Sequence, residues 1–389
     1  REEQISATDR GDPEGWRQPA RNCREVHSEE VLVKHTLKAV AAASVLAFGA
    51  SAADAQEYVF KTATIAPMTE VYNEDLAIPF ANYVDVLTDG KVKFEIFEGG
   101  VLAPIFKIFE AVQDGVADAG ISTPIFLGTK DPYNAMALAF PTGLGTDSLI
   151  PWIYFGGGGE LLTEHRRETM NLHSIPLGVG PSEIFAHSHK KITKVEDLKD
   201  AKYRTLGNWA AVVEEAFGAS PTVFPGGEVY GALEKKQLDL AEYSMPSQNF
   251  ALGFPEVAPY IIYPGIHAPA WGFELIMQKD RWDALPEDIR KKIEIAAKLT
   301  TWETMARIQL KDMKTLAEFK GDNEFIVLDE TFKEKSRVAA RAWGEKAAAA
   351  AKADGNDFAE RAFKSITEFQ DFWRAHSGYM VVDHTDRIE

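Results

Sequence analysis

"KVKFEIFEGGVLAPIFKIFEAVQDGVADAGIST", Lys91 to Thr123, decides the fold. It opens with apolar and polar residues in strict alternation, the period of a half-buried strand, and "EGG" closes that strand. "IFKIFEAVQDG" follows with helical spacing, and "ADAGIST" is a short buried strand. Upstream, "EYVFKTATIAP" from Glu57 alternates as another strand ending at Pro67. Val71 to Thr88 reads as an amphipathic helix stopped by Asp89 and Gly90. Strands alternating with helices are the pattern of a parallel, doubly wound sheet, whose binding crevice lies beyond the carboxyl ends of its strands.

The same grammar restarts downstream. "SIPLGVGPSEIFAH", "VEDLKDAKYRTL", a helix from about Trp209 to Phe217, and "PTVFPGGEVYGALEKKQLDLAEYSMP" outline a second α/β lobe. Pro286 then suits the first position of a helix running to about Gly321, long enough to span both lobes. A strand "EFIVL" and two helices, about Thr331 to Ala353 and Asp357 to Ala375, complete the chain. The expected organisation is a leader over 1–55, lobe I over 56–176, lobe II over 177–264, and a return to lobe I over 265–389 with the shared helix and the C-terminal helices. A chain of 389 residues exceeds one ordinary hydrophobic core, which agrees with two lobes.

Charge excludes some partners. With 42 Lys+Arg against 59 Asp+Glu the net charge is −17, so neither nucleic acid nor an anionic membrane surface is favoured. An anionic ligand must be held by a local cation, because the overall field repels it. Lys34, His35 and Lys38 precede a short apolar run from Ala39 to Phe48, and small residues end in "ADA" at Ala53 to Ala55. That run is too short to span a bilayer and reads as a cleaved secretory signal. Arg1 to Val33, ahead of it, reads first as the product of a misassigned start, with a genuine extended leader or a membrane anchor as the alternatives, and 1–55 is excluded from the fold. Cys23 is the single cysteine and lies in that leader, so the remainder has no thiol, as befits a bacterial periplasmic protein without disulfides.

Few motifs carry chemistry. "GGGG" at Gly156 to Gly159 matches no phosphate-loop spacing and reads as a turn before "ELLTEHRRETM". His187 and His189 share a strand face with no third metal ligand nearby. No H-E-x-x-H or G-x-S-x-G occurs. Arg204 in "KYRTLGNW" stands between apolar and aromatic residues, a setting for a fork gripping a carboxylate or for a structural ion pair. Glu242 in "DLAEYSMP" is either a ligand at a crevice mouth or a solvated strand end. Trp209, Tyr230 and Tyr243 are cleft walls or core.

These residues are also where the chain resembles the extracytoplasmic solute receptors of TRAP transporters, of DctP type. "PFANYVDVLTDGKVKFEIFEGGVL", "EAVQDGVADAGIS", "VEDLKDAKYRT", "GASPTVFPGGEVYGALEKKQLDLAEY" and "LPEDIRKKIE" carry the likeness in order and spacing. "WIYFGGGGELLTE" and "AEYSMPSQNFALGF…YPG" look most like the branch that binds 2-oxo acids and lactate with a metal ion. The resemblance implies a two-lobed α/β clamp of the type II periplasmic-binding-protein kind, with hinge strands and a long lobe-spanning helix. It implies that Arg204 pairs with the ligand carboxylate. It also implies that Glu242 and Tyr243 stand where that branch has a Glu-Trp pair at a bridging cation. Glu183 stands where the branch has a glutamine ligand, a change that adds negative charge. Glu183, Glu242 and Tyr243 are thus the candidate metal site, with Ca²⁺ favoured over Na⁺ on two carboxylates. Where the branch often has paired tryptophans after "YPG", this chain has Ile266 and His267, with Trp271 farther on.

The expected function is capture of a small organic monocarboxylate, a 2-oxo or 2-hydroxy acid, in the periplasm and its delivery to TRAP permease subunits. The ligand set is Arg204, Glu183, Glu242, Tyr243, Trp209, Tyr230 and Trp271, with no catalysis. Two rivals remain: an acid–base enzyme using Glu183 with Glu242, and a sensor reporting to a membrane receptor. A homodimer through the C-terminal helix, by way of Phe369, Phe372 and Trp373, is a further expectation.

Overall fold

The computed structural model describes residues 57–380. The expected signal segment and Cys23 lie outside those residues. Alternation in the opening stretch produces β1 (Tyr58–Ala63) and β2 (Val92–Phe97), paired in parallel, with β3 (Ala119–Ser122) parallel to β1 on the other side. Between β2 and β3 runs the helix Ile108–Gln113, whose Ile108, Phe109, Ala111 and Val112 are buried. The first sheet is completed by β4 (Leu172–Gly180) and β10 (Trp271–Gln278), in the order β2-β1-β3-β10-β4. Here the expectation of a parallel sheet fails in part, because β10 runs antiparallel to both β3 and β4. The chain leaves the first sheet along β4 and returns along β10, so these two adjacent strands run in opposite directions. Both are almost wholly buried; β4 is the edge strand of the sheet, and the helices Gly158–Met170 and Glu287–Glu318 pack over it.

The second sheet has the order β11-β9-β5-β8-β6-β7. Its strands are β5 (Ala186–Ser188), β6 (Lys202–Arg204), β7 (Ser220–Thr222), β8 (Leu240–Ala241), β9 (Tyr260–Tyr263) and β11 (Glu324–Val327). The boundary expected at 176/177 falls inside β4, and the "EFIVL" strand, expected within the return to lobe I, pairs with β9 of the second sheet.

Pro286 caps a helix over Glu287–Glu318 that packs on β4 of the first sheet, on the helix Ile78–Leu87 and on the short helix Pro246–Ala251 of the second lobe. A pre-set φ at Pro286 and Ala- and Lys-rich content explain its length. The helices Glu330–Ala353 and Phe358–His376 pack against each other. "GGGG" is the turn read from the sequence: Gly157 sits at φ +88°, outside the reach of most side chains, and the helix Gly158–Met170 starts after it. No helix among the described residues is long and apolar enough to cross a membrane.

Candidate functional site

β6 and β8 lie side by side and parallel, and each ends where the chain must turn away. Arg204, the last residue of β6, and Glu242, just past β8, therefore meet at the carboxyl edge of the second sheet. Arg204 is 3% exposed. Its Nη1 donates to the Glu242 carbonyl oxygen at 2.7 Å and lies 3.1 Å from Glu242 Oε2, and Nη2 donates to the Phe224 carbonyl at 3.2 Å. Its Nε is buried with no partner. The guanidinium is thus partly engaged by the protein's own carboxylate, and a cavity of about 310 Å³ adjoins it. That is near the lower end of ligand pockets.

Two close approaches bring the remaining charged groups there. A Cβ on Gly265 would stand 2.2 Å from the Glu183 carbonyl oxygen, so only glycine lets the chain after β9 run against the segment between β4 and β5. Glu183 N–H donates to the Ala268 carbonyl at 3.2 Å, and between these backbone contacts His267 Nε2 lies 3.0 Å from Glu183 Oε2. The same nitrogen is 4.0 Å from Glu242 Oε2. Gly207, at φ +62°, opens the helix Gly207–Phe217, and a Cβ there would strike Ile125 of the first lobe at 2.6 Å. Across the cleft, the Tyr72 hydroxyl is 2.7 Å from Ser244 Oγ. Ile65, Phe106, Phe126 and Phe273, from the side of the first sheet, give the cavity an apolar wall facing the charged end.

Burial pushes the Glu183 carboxyl up to about 8, and the Arg204 charge offsets this only in part. Burial also raises Glu242, against the pull of Arg204 and His267. His267 is pushed down to about 4 by burial, with Glu242 acting in the opposite sense. At neutral pH, in the absence of a cation, Glu183 keeps its proton beside an uncharged imidazole. Ligand atoms of Glu183, Glu242 and His267 all lie within 4.8 Å of one another, a donor set that fits one divalent ion after a small contraction.

Six of the seven sequence-predicted ligand residues line this cavity: Glu183, Arg204, Trp209, Glu242, Tyr243 and Trp271. Tyr243 presents its ring 5.8 Å from the Arg204 guanidinium, and Trp271 Nε1 is buried without a partner. Tyr230 does not line it. The helix Gly226–Glu234 turns Tyr230 onto Phe254, 6.1 Å between rings, in a satellite core with Val229 and Leu233. His187 is buried against Phe254, with Nε2 3.1 Å from Asn249 Nδ2, and His189 Nε2 lies 2.8 Å from the Leu233 carbonyl, so neither reaches the site. Sequence reasoning missed His267 and Tyr72 as site members. The signal for His267 was an imidazole replacing tryptophan just after "YPG"; Tyr72 carried none.

Residues 62–350 match the profile of the DctP family, described as bacterial extracellular solute-binding protein, family 7. A monocarboxylate 2-oxoacid-binding periplasmic protein of Nostoc sp. is 30% identical over 223 residues, which span 57% of this chain and 61% of that relative. Among solved structures, a TRAP periplasmic solute-binding protein of Pseudoalteromonas atlantica with bound sodium and pyruvate superimposes with a TM-score of 0.77 at 25% identity. It covers 86% of this chain and 100% of its own. An apo open TRAP solute-binding protein of Rhodobacter sphaeroides, 27% identical, gives a TM-score of 0.63 over 81% of this chain and 98% of its own.

Proposed function

From the premise that the chain belongs to the bacterial extracellular solute-binding proteins of family 7, the DctP family, we propose that it is an exported TRAP receptor that captures a small 2-oxo or 2-hydroxy monocarboxylate. The observation that carries this reading is Arg204, buried at the carboxyl edge of a sheet with an unpartnered Nε and a cavity beside it. A carboxylate there gains charge-assisted bonds in a site shielded from water. Two relatives support this ligand class: one binds 2-oxo monocarboxylates by its name and one was solved with pyruvate. The apolar wall of Ile65, Phe106, Phe126 and Phe273 suits an acid with a hydrocarbon tail.

Binding favours the shut clamp because the ligand touches Arg204 on one lobe and the apolar wall of the other only when both are together. Members of the family are solute-binding receptors rather than enzymes, and we read Glu183 and Glu242 accordingly as ligands to a cation that bridges to the substrate, not as an acid–base pair. The relative from Pseudoalteromonas was solved with bound sodium and pyruvate, and Glu183, Glu242 and Tyr243 border the cleft here. Periplasmic location and delivery to membrane permease subunits follow from family membership as parts of the same proposal. A homodimer through the C-terminal helix has support from Phe372, exposed on that helix, while Phe369 and Trp373 stack on each other at 5.9 Å and the Trp373 Nε1 donates to Asp147 at 3.3 Å.

The test is calorimetry with pyruvate and with an isobutyl-tailed 2-oxo acid. Arg204→Ala is expected to cost roughly 2–5 kcal/mol of binding, the range for removing one partner of a buried charge pair. Near-normal affinity in that variant overturns the reading.

A further inference from the structure

The charge count at the cleft is informative. Arg204 supplies one positive charge, Glu242 one negative charge, and Glu183 a second once a cation takes the place of its proton; Glu70 also lines the cavity. A divalent ion draws two carboxylates together more strongly than a monovalent one does.

The third donor selects among divalent ions. His267 Nε2 stands 3.0 Å from Glu183 Oε2 and 4.0 Å from Glu242 Oε2, and the three ligand atoms, all within 4.8 Å of one another, surround one ion with bonds of roughly 2.0–2.2 Å once the set contracts. Calcium and sodium prefer oxygen, whereas an imidazole nitrogen suits zinc and its neighbours in the first transition row. Arg204 and Trp271 both line the cavity, and their Nε and Nε1 atoms are buried and unpartnered. We propose that Glu183, Glu242 and His267 form a two-carboxylate, one-imidazole site for a borderline divalent cation of the zinc class, which completes its coordination with the oxygens of the bound acid. The inference rests on the reading of this cleft as a carboxylate-binding site and adds the identity class of the ion and the role of His267.

The experiment uses the purified full chain, stripped with chelator, titrated with Zn²⁺, Ca²⁺ or Na⁺ alone and then with pyruvate. Zinc is expected to bind one per chain and more tightly than calcium, with sodium weakest. His267→Gln is expected to lower zinc affinity by about 100-fold or more, beyond the 10–100-fold typical of changes outside the ligand set, while calcium binding falls far less. Because that variant also alters the packing of the loop, X-ray absorption at the zinc edge of the unaltered protein supplies a second reading: imidazole scattering from one nitrogen ligand is expected. Calcium binding more tightly than zinc, or an all-oxygen zinc shell, overturns the inference. Pyruvate binding that still depends on Arg204 under calcium would leave the receptor reading standing in that event, so the two failures are distinguishable.

Discussion

Two buried arginine–glutamate pairs, one in each lobe, share their chemistry and differ in what surrounds them. In the first lobe, Arg166 and Glu274 are fully buried. Nε donates to Oε2 at 3.0 Å and Nη2 to Oε1 at 2.6 Å, a two-point fork. Ser174 Oγ donates to the same carboxylate, Nη1 lies 3.0 Å from His165 Nδ1, and the Phe109 ring lies 5.0 Å from the guanidinium carbon. No polar atom of this pair is left over. In the second lobe, Arg204 reaches the Glu242 carboxylate at one point only and keeps an idle Nε beside a cavity. A fork closed on its own carboxylate is architecture, and one left half open is available for another molecule's carboxylate.

The largest expected effect tests that distinction. Arg166→Met leaves Glu274 buried and uncompensated and is expected to cost about 3–5 kcal/mol of unfolding free energy in urea, while Arg166→Met with Glu274→Leu regains much of it. Arg204→Met is expected to cost less than half as much, since Glu242 retains His267 nearby and borders the cavity. Equal losses at the two arginines would erase the contrast. A smaller effect on stability and a larger one on binding are expected at Glu242→Gln: unfolding free energy moves by less than about 1 kcal/mol, and pyruvate affinity in the presence of the bound cation drops more than tenfold, about 1.4 kcal/mol. A drop in stability without loss of affinity would place Glu242 with Glu274 as a purely structural carboxylate.

One half of this contrast was legible in the sequence, and the reasons for the missing half are physical. Arg204 and Glu242 stood at strand ends, where binding crevices lie, but the resemblance to the DctP receptors was what separated them from a structural ion pair and a solvated strand end. Arg166 drew no attention, because its partner lies 108 residues away on β10, and nothing local to "EHRRETM" announces a fork. The same long-range dependence hid the antiparallel β10 and the membership of β11 in the second sheet, since pairing partners are set by chain crossings between lobes. Tyr230 was misplaced because an aromatic near a site in sequence can face either side of its helix, and burial of Val229, Ala232 and Leu233 decided which. His267 was visible only as a departure from tryptophan, and its value as a ligand depends on Gly265 letting two backbones touch.

A third buried carboxylate, with no arginine, isolates what the partners contribute. Asp312 on the long helix is 7% exposed, and its Oδ1 accepts the Ser247 N–H at 2.8 Å, tying that helix to the helix Pro246–Ala251 of the second lobe. Burial pushes its carboxyl up to about 6, with the Ser247 hydrogen bonds acting the other way. Its folded value exceeds the ordinary 3.8, so the native state holds the proton more tightly than the unfolded chain does. Stability from this group is complete below the unfolded value and is lost as pH rises through about 6, by up to about 3 kcal/mol at 1.36 kcal/mol per unit. Asp312→Asn keeps an acceptor for Ser247 and removes the titration. Relative to this variant, the wild-type protein is therefore expected to lose unfolding free energy from about pH 4 to about pH 7, read from urea curves of both proteins across that range. Parallel curves would mean that burial alone does not penalise a carboxylate at this lobe contact, and the burial penalty assigned to the Glu183 carboxyl in the cleft would fall with it.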